Sequence, residues 1–487
     1  MENSGNKAAK AGIAYTVGNV LLKGIAFLTL PIFSRILTTE EFGFYNLYVS
    51  YETILTIFVG VCLYGSLRTA KYDYRHEFES YVSSTLMLSG FVYIIVMFSG
   101  NIIYPIISKS FGFDRVILNI LITHSYAMFI FQFYNTWLAL DFKYKKFLVV
   151  SGINSIGGTT FSIFLILVVF KSHRYIGRIY GYAIVPICVA AIIWLSFFRE
   201  ARRKKLILFN KGYWKYGLSI SIPLVVHTFS QQILSQFDRI MINTLVSVAA
   251  VGIYGFIQTI ASILQIIVQS MDNAWSVWMY EQLDKKQYSQ IQEKARTYIL
   301  LMNILYVGFI SLAPDVIHIA GTKEYYHGIS MIIPLSYAIY FIFLYSLPVH
   351  IEYFYKKTKY IAIGTSIAAV INISLNYFFI CSCGYMAAAW TTLASYILLF
   401  VFHWYIAKKI DNNHMFPTRF IIESIVVLSI FSAWILFVVD SMAIRWGSMV
   451  FFITIQLGSN FKIVLPIIKG TFNKFRKDFG IYLHNGK

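Results

Sequence analysis

Charge is scarce in this chain. Of 487 residues only 13% are Asp, Glu, Lys or Arg, against roughly 25% in an ordinary soluble domain, so a water-soluble fold is disfavoured from the start. Acidic residues are rarer still, 22 against 41 Lys and Arg. Cysteine occurs four times. Cys62 and Cys188 fall in apolar runs and read as small core residues. Cys381 and Cys383 share a short turn that a disulfide would fit, but a metal site would need more ligands. The alternating segments of about ten residues that build a β-barrel are missing. No small-residue cleavage site follows the first apolar run, which therefore reads as a retained helix. No outer connection exceeds about a dozen residues. No paired acid and base, metal cluster or nucleophile arrangement stands on that side, so neither enzymatic residues nor a cofactor is expected.

What the chain has is hydrophobicity: 58% apolar residues and a mean hydropathy of +0.64. Apolar runs of about 20 residues recur from end to end, as in an all-α polytopic membrane protein. Spans are placed at approximately 12–34, 43–66, 81–104, 116–140, 148–170, 178–198, 216–236, 250–272, 297–318, 329–350, 360–380, 385–407, 418–439 and 446–468, about fourteen transmembrane helices. The net charge of +19 is distributed by side rather than along a nucleic-acid-binding face. About thirty Lys and Arg fall on the side carrying both termini and about nine on the other, the positive-inside pattern of cytoplasmic ends. "REARRKK" (199–205), "DFKYKK" (141–146) and "KKTK" (356–359) are topology signals and contacts for anionic membrane lipids. Nucleic acid is not an expected partner.

The chain also repeats itself. "SYAMFIFQFYNTWLALDFKYKK" from Ser125 and "SYAIYFIFLYSLPVHIEYFYKK" from Ser336 are identical at seven of 22 positions at an offset of 211, with Asp141 facing Glu352. "ILTTEEFGFYN" from Ile36 matches "LVSVAAVGIYG" from Leu245 at 209, and "KAGIAY" from Lys10 matches "KYGLSI" from Lys215 at 205. Six spans, an even number, separate the copies. They are thus parallel repeats about a pseudo-twofold axis along the membrane normal. This predicts two six-helix bundles, 1–198 and 216–407, joined by a basic linker at 199–215. Two further helices at 418–468 and a basic cytoplasmic tail at 469–487 stand outside the duplication.

Polar residues concentrate on four helices. In span 8, Gln258, Ser262, Gln265, Gln269, Asp272 and Ser276 advance by alternating steps of 4 and 3 and share one face. Span 7 shows His227, Gln231, Ser235 and Asp238 at the same spacing, span 1 has Thr16, Asn19 and Lys23, and span 2 has Asn46, Ser50, Thr53 and Gly60. Four stripes on repeat-equivalent helices predict one shared polar cavity, although interhelical hydrogen bonding would serve for span 2 alone. Lys23 lies roughly 17 Å from either interface, too deep to snorkel. Its repeat counterpart is Thr228, beside His227. Three roles remain open for it: a permanent pair with Glu52, an ion-coupling switch, or a site for an anionic substrate. Arg68 at the cytoplasmic end of span 2, with Arg35 and Arg239 near the outer ends of spans 1 and 7, would extend Lys23 and His227 into a ladder of cations for a phosphate-bearing headgroup. Taken singly, each arginine also fits an interfacial anchor. Glu52, Asp238 and Asp272 are candidates for proton or cation coupling, and Asp238 equally fits a cap or a pair with Arg239. Glu423 and Lys462 lie at matching depth and read as a structural pair.

"KGIAFLTLPIFSRILTTEEFGFYNLY" (Lys23–Tyr48) and "FDRIMINTLVSVAAVGIYGF" (Phe237–Phe256), behind a basic N-terminus, resemble the polysaccharide-biosynthesis flippases (O-antigen or capsule repeat-unit, Wzx-like) of the multidrug/oligosaccharidyl-lipid/polysaccharide exporter superfamily. The resemblance extends over the whole chain through span count, duplication and short loops. It implies two six-helix bundles in a V with spans 1, 2, 7 and 8 around the cavity. It also implies alternating-access transfer of undecaprenyl-diphosphate-linked oligosaccharide repeat units from the inner to the outer leaflet of a bacterial cytoplasmic membrane. A polymerase and glycosyltransferases of the same pathway are implied partners. Lys23 matches the family's central cations by type and location, although lysine stands where arginine is usual. Two alternatives remain. A multidrug cation antiporter shares the fold but would favour carboxylates at the midplane. An integral-membrane polysaccharide polymerase or ligase would need a longer outer loop.

Overall fold

The computed structural model describes Gly18, Gly24, Ile25 and residues 27–411 and 415–461. Among these residues all regular structure is helical and no strand occurs. Apolar runs in hydrocarbon must satisfy their own backbone groups, and a helix does so within one segment. The helices are α1 Phe27–Ile36, α2 Thr39–Gly60, α3 Leu67–Asp73, α4 Phe78–Phe111 and α5 Arg115–Leu140, then α6 Tyr144–Val169, interrupted by π turns at Ile153–Gly157 and Leu165–Val169. There follow α7 Arg174–Arg203, α8 Lys211–Leu245, α9 Val248–Asp284, α10 Tyr288–Ala320, α11 Ile332–Phe354, α12 Thr358–Cys383, α13 Ala387–Ile410, α14 Thr418–Phe437 and α15 Met442–Ser459. Among the described residues ten helices are long and apolar enough to cross a membrane, eleven with α2 and α3 counted as one bent span. The protein is thus a multi-pass membrane protein. α8 falls outside that group because its C-terminal half carries His227, Gln231, Gln232, Ser235, Gln236, Asp238 and Arg239.

The continuous span expected at 43–66 is broken. α2 ends at Gly60, Val61 and Cys62 take left-handed φ values of 46° and 49°, and a 3-10 turn, Leu63–Ser66, leads into α3. The two helices meet at 53°. A side chain at Gly60 would overlap the Phe129 ring of α5, so the glycine is what lets α5 approach. The freed Cys62 carbonyl accepts from Ser221 Oγ at 3.3 Å and Gly65 N at 2.9 Å. A β-branched residue at Val61 in this conformation costs about 1–2 kcal/mol. Apolar periodicity carries no sign of such a break, since the residues on both sides remain hydrophobic.

The duplication is visible in side-chain detail. Thr38 caps α2 in a reciprocal box with Glu41, both bonds at 3.1 Å, and Ser247, at the 209 offset, accepts from Ala250 N at 3.2 Å. Gly43 and Gly252 are also equivalent, and α2 and α9 cross there backbone to backbone. A Cβ on Gly43 would strike the Val248 carbonyl, and one on Gly252 would strike that of Thr39.

The chain packs as two compact units. Unit 1 comprises Met1–Thr259, Ala320–Tyr326 and Ala362–Ser395; unit 2 comprises Ile260–Ile319, His327–Ile361 and Tyr396–Lys487. In unit 1, Tyr74, Tyr81, Tyr213 and Tyr216 form an aromatic cluster with centroids 5.0–5.8 Å apart. In unit 2, Asn303–Ser424, Tyr306–Ser432 and Tyr337–Ser429 hydrogen bonds of 2.7–2.9 Å hold α14 to α10 and α11. Arg445 of α15 grips Asp315 of α10 with both terminal nitrogens, at 2.6 and 3.1 Å.

Candidate functional site

Lys23 and Asn19 lie outside the described residues. In unit 1, successive positions on α8 diverge by the helical step of about 100°. Arg239 Nη1 donates to Gln236 Oε1 at 2.7 Å and to Ser50 Oγ of α2 at 3.4 Å. Asp238 turns the other way and accepts from Tyr254 Oη and Thr392 Oγ1 at 2.7 Å and from Asn376 Nδ2 at 2.6 Å. The expected pairing or capping of Asp238 with Arg239 therefore gives way to a nest of neutral donors, with Asn376 also meeting Asn372 at 3.2 Å and Thr391. Both residues are buried.

A second buried cation was not anticipated. Arg178, one turn into α7, donates to Ser162 Oγ at 3.1 Å and Tyr45 Oη at 3.0 Å, and its guanidinium stacks 3.7 Å over Phe33 and 4.2 Å over Tyr45. Among the described residues neither Arg178 nor Arg239 forms an ion pair, and the Nε of each has no partner. Arg178 stands at the start of an apolar run, and no sequence pattern marks it as enclosed. Tyr45 and Tyr254 are repeat equivalents, yet one serves a cation and the other an anion.

The remaining expected residues scatter. Glu52 is buried, and its carboxylate accepts from Thr56 at 2.9 Å and Thr53 at 3.4 Å, with no cation in ion-pair range among the described residues. His227 Nδ1 lies 3.5 Å from Thr365 Oγ1. Gln258 Nε2 donates to the Ser235 carbonyl at 3.3 Å and its buried Oε1 has no partner among the described residues. Gln231, Arg68 and Arg35 are exposed, Arg35 donating to the Pro31 carbonyl at 3.4 Å. In unit 2, Gln265 and Gln269 are exposed on α9, and Asp272 Oδ1 meets His350 Nε2 of α11 at 2.8 Å. Glu423 pairs with Arg419 at 2.7 Å, while Lys462, its expected partner, lies outside the described residues. Cys62 is buried, but Cys188 is exposed rather than in a core; Cys381 and Cys383 are free and exposed. Asp141, in the turn after α5, is bridged by Lys143 at 2.8 Å and Lys71 at 3.0 Å. Partial burial works against its ionisation, but the two lysines outweigh it and hold the carboxyl below its ordinary value.

A family profile described as "Polysaccharide biosynthesis protein" matches residues 8–276, more than half of the chain. The protein belongs to this family. A second profile, MatE, matches residues 223–379. Within Haemophilus influenzae the Lsg locus protein 1 is 24% identical over 386 residues, 76% of this chain and 90% of that one. An uncharacterized membrane protein of the same organism is 23% identical over 373 residues, 74% and 87% respectively. Among solved structures, the lipid II flippase MurJ in an inward closed conformation aligns with a TM-score of 0.71 at 15% identity, covering 93% of this chain and all of that one. An inward-facing multidrug resistance MATE transporter of the MOP superfamily aligns at 0.60 and 14%, covering 80% and 95%. This member of the polysaccharide biosynthesis family therefore has the fold of those transporters, all-α and multi-pass as expected, with ten or eleven candidate spans among the described residues against the fourteen expected.

Proposed function

We propose that the protein is a flippase for undecaprenyl-diphosphate-linked oligosaccharide repeat units, moving them from the inner to the outer leaflet of a bacterial cytoplasmic membrane by alternating access. The lobes 1–198 and 216–407 would be the rocking bodies, with both termini cytoplasmic, and the product would feed a polymerase of a surface polysaccharide pathway. One observation carries the choice of cargo. Arg178 and Arg239 are buried in the helix packing of unit 1, yet neither forms an ion pair with a carboxylate among the described residues. Holding a cation out of water without a direct salt-bridge partner is costly, Arg239 having only the through-space attraction of Asp238, and a diphosphate passing through would supply a direct counter-charge with bidentate geometry. Lys23 and His227 extend the same logic toward the midplane. An organic cation would gain nothing from these groups.

Glu52, Asp238 and Asp272 are the candidate coupling carboxylates. Asp238 is surrounded by hydroxyl and amide groups, Glu52 by two threonines, and Asp272 by an imidazole.

Transport in proteoliposomes tests the reading. Wild type is expected to transfer the headgroup of a short lipid-diphosphate oligosaccharide, Lys23→Ala to lose this and Lys23→Arg to keep it, each variant being checked for folding. Transport of organic cations with no transfer of diphosphate lipids would replace the flippase with an antiporter.

A further inference from the structure

α11 carries a second set of ionisable groups that the cargo reading leaves unused. Glu352 and His403 face each other between α11 and α13 in unit 2, and both side chains are 0% exposed. His403 Nδ1 lies 2.7 Å from Glu352 Oε1. Glu352 Oε2 and His403 Nε2 are buried and have no partner among the described residues. Two residues earlier on the same helix, His350 Nε2 meets Asp272 Oδ1 of α9 at 2.8 Å, and its Nδ1 meets Tyr280 Oη at 3.1 Å. The groups facing these pairs are tyrosines. Tyr345 and Tyr353 come from α11 itself, Tyr280 from α9 and Tyr298 from α10, with Tyr345 stacked on His403 at 5.9 Å and Tyr353 within electrostatic reach of both carboxylates. Among the described residues no Lys or Arg forms an ion pair with Glu352 or Asp272.

Imidazole is the side chain that changes charge between about pH 5 and 8. A carboxylate matched to imidazole rather than to Lys or Arg therefore sits beside a partner able to gain and lose a proton in that range. With His403 Nδ1–H donating to Glu352 Oε1, Nε2 is left with an open lone pair. Uptake of one proton from water onto Nε2 converts carboxylate plus neutral imidazole into a neutral ion pair, and release returns that proton to water. The protonated pair suits a dry interior; the deprotonated one is a net buried charge that favours any arrangement admitting water. Asp272 is 30% exposed, so the second pair is the wetter of the two.

We propose that unit 2 holds a proton-binding site, with Glu352 and His403 as the pair that takes up the proton. As a coupling site it rests on the flippase reading; as a proton-binding site it does not. Acid–histidine chains inside membrane helices serve this purpose in pumps and transporters. A ligand that binds one conformation better shifts the balance toward it, and here that ligand is the proton.

Nitrogen-15 histidine spectra of the full-length protein in lipid nanodiscs, titrated from about pH 5 to 8, read the site without any transport. One imidazole is expected to gain a proton at Nε2 within that range. The signal should vanish in His403→Gln and change in Glu352→Gln, where the neighbouring anion is gone. A His403 that keeps one protonation state throughout overturns the proposal, and that arm needs no variant to fold. The second arm imposes a pH gradient on proteoliposomes. Wild-type headgroup transfer should respond to the gradient, whereas Glu352→Gln should transfer without responding. Transfer indifferent to the gradient in wild type sinks the coupling role and leaves the flippase standing. Absence of any headgroup transfer sinks the flippase, and the histidine titration alone then decides whether the proton site exists.

Discussion

Arg445 in unit 2 and Arg178 in unit 1 are buried alike, 1% and 8% exposed, but they are kept in opposite ways. Arg445 grips Asp315 with two nitrogens, donates to the Ser311 carbonyl, and shares Asp315 with the Trp446 indole at 2.9 Å. Among the described residues Arg178 has a serine, a tyrosine and the faces of Phe33, Tyr45 and Tyr182. The first arrangement neutralises a charge so that α15 can dock on α10. The second leaves a full positive charge waiting inside the protein. A buried cation with a counter-ion explains itself by structure; one without it is what the proposed anionic cargo would pair.

The difference should be measurable as stability. Arg445→Met is expected to lose about 3 kcal/mol, the low end for breaking a buried pair because Asp315 keeps some exposure, whereas Arg178→Met should stay within about 1 kcal/mol, since removing an unpaired cation offsets the lost hydrogen bonds. Thermal unfolding in detergent reads both, and equal losses would erase the distinction. The α2–α9 crossing gives the next effect. Gly43→Val and Gly252→Val should each lose about 1–3 kcal/mol by overpacking, and by similar amounts because the contacts are reciprocal. Gly308→Ala on α10, where a methyl would meet nothing within 4 Å, should be stabilising by up to about 1 kcal/mol. Val61→Gly should gain roughly 1 kcal/mol by relieving the left-handed backbone. Asp141→Asn comes last, at under about 1 kcal/mol for an exposed pair. The sign of its pH dependence is fixed: the lysines hold the carboxyl low, so its contribution is complete above the ordinary carboxylate range and disappears as pH falls through the lowered value.

Asp141 and Glu352, equivalent in the repeat, also show how far a sequence can be read. The alignment that pairs them was legible from "SYA…KK", and so were the helices on either side, because apolar periodicity and loop charge are local signals. Their environments were not. Asp141 lies in the turn after α5 between two lysines, while Glu352 is turned into α13 against His403, and that depends on a residue 51 positions away. Asp238 illustrates the same limit: its position on the polar face of α8 was visible, but Asn376 and Thr392 reach it from helices more than a hundred residues downstream. The break at Val61–Cys62 escaped because the residues on both sides of it remain apolar. Arg178 escaped because enclosure is a tertiary property.

The most direct measurement is equilibrium binding of a lipid-diphosphate oligosaccharide to the protein in nanodiscs, with the same glycan on an uncharged polyprenol as control. Arg239→Gln and Arg178→Gln should each weaken binding of the diphosphate lipid about tenfold or more, about 1.4 kcal/mol per lost contact, and leave the uncharged control unchanged. Unaltered affinity in both variants, with the fold intact, would contradict the claim that these unpaired cations are held for an anionic cargo.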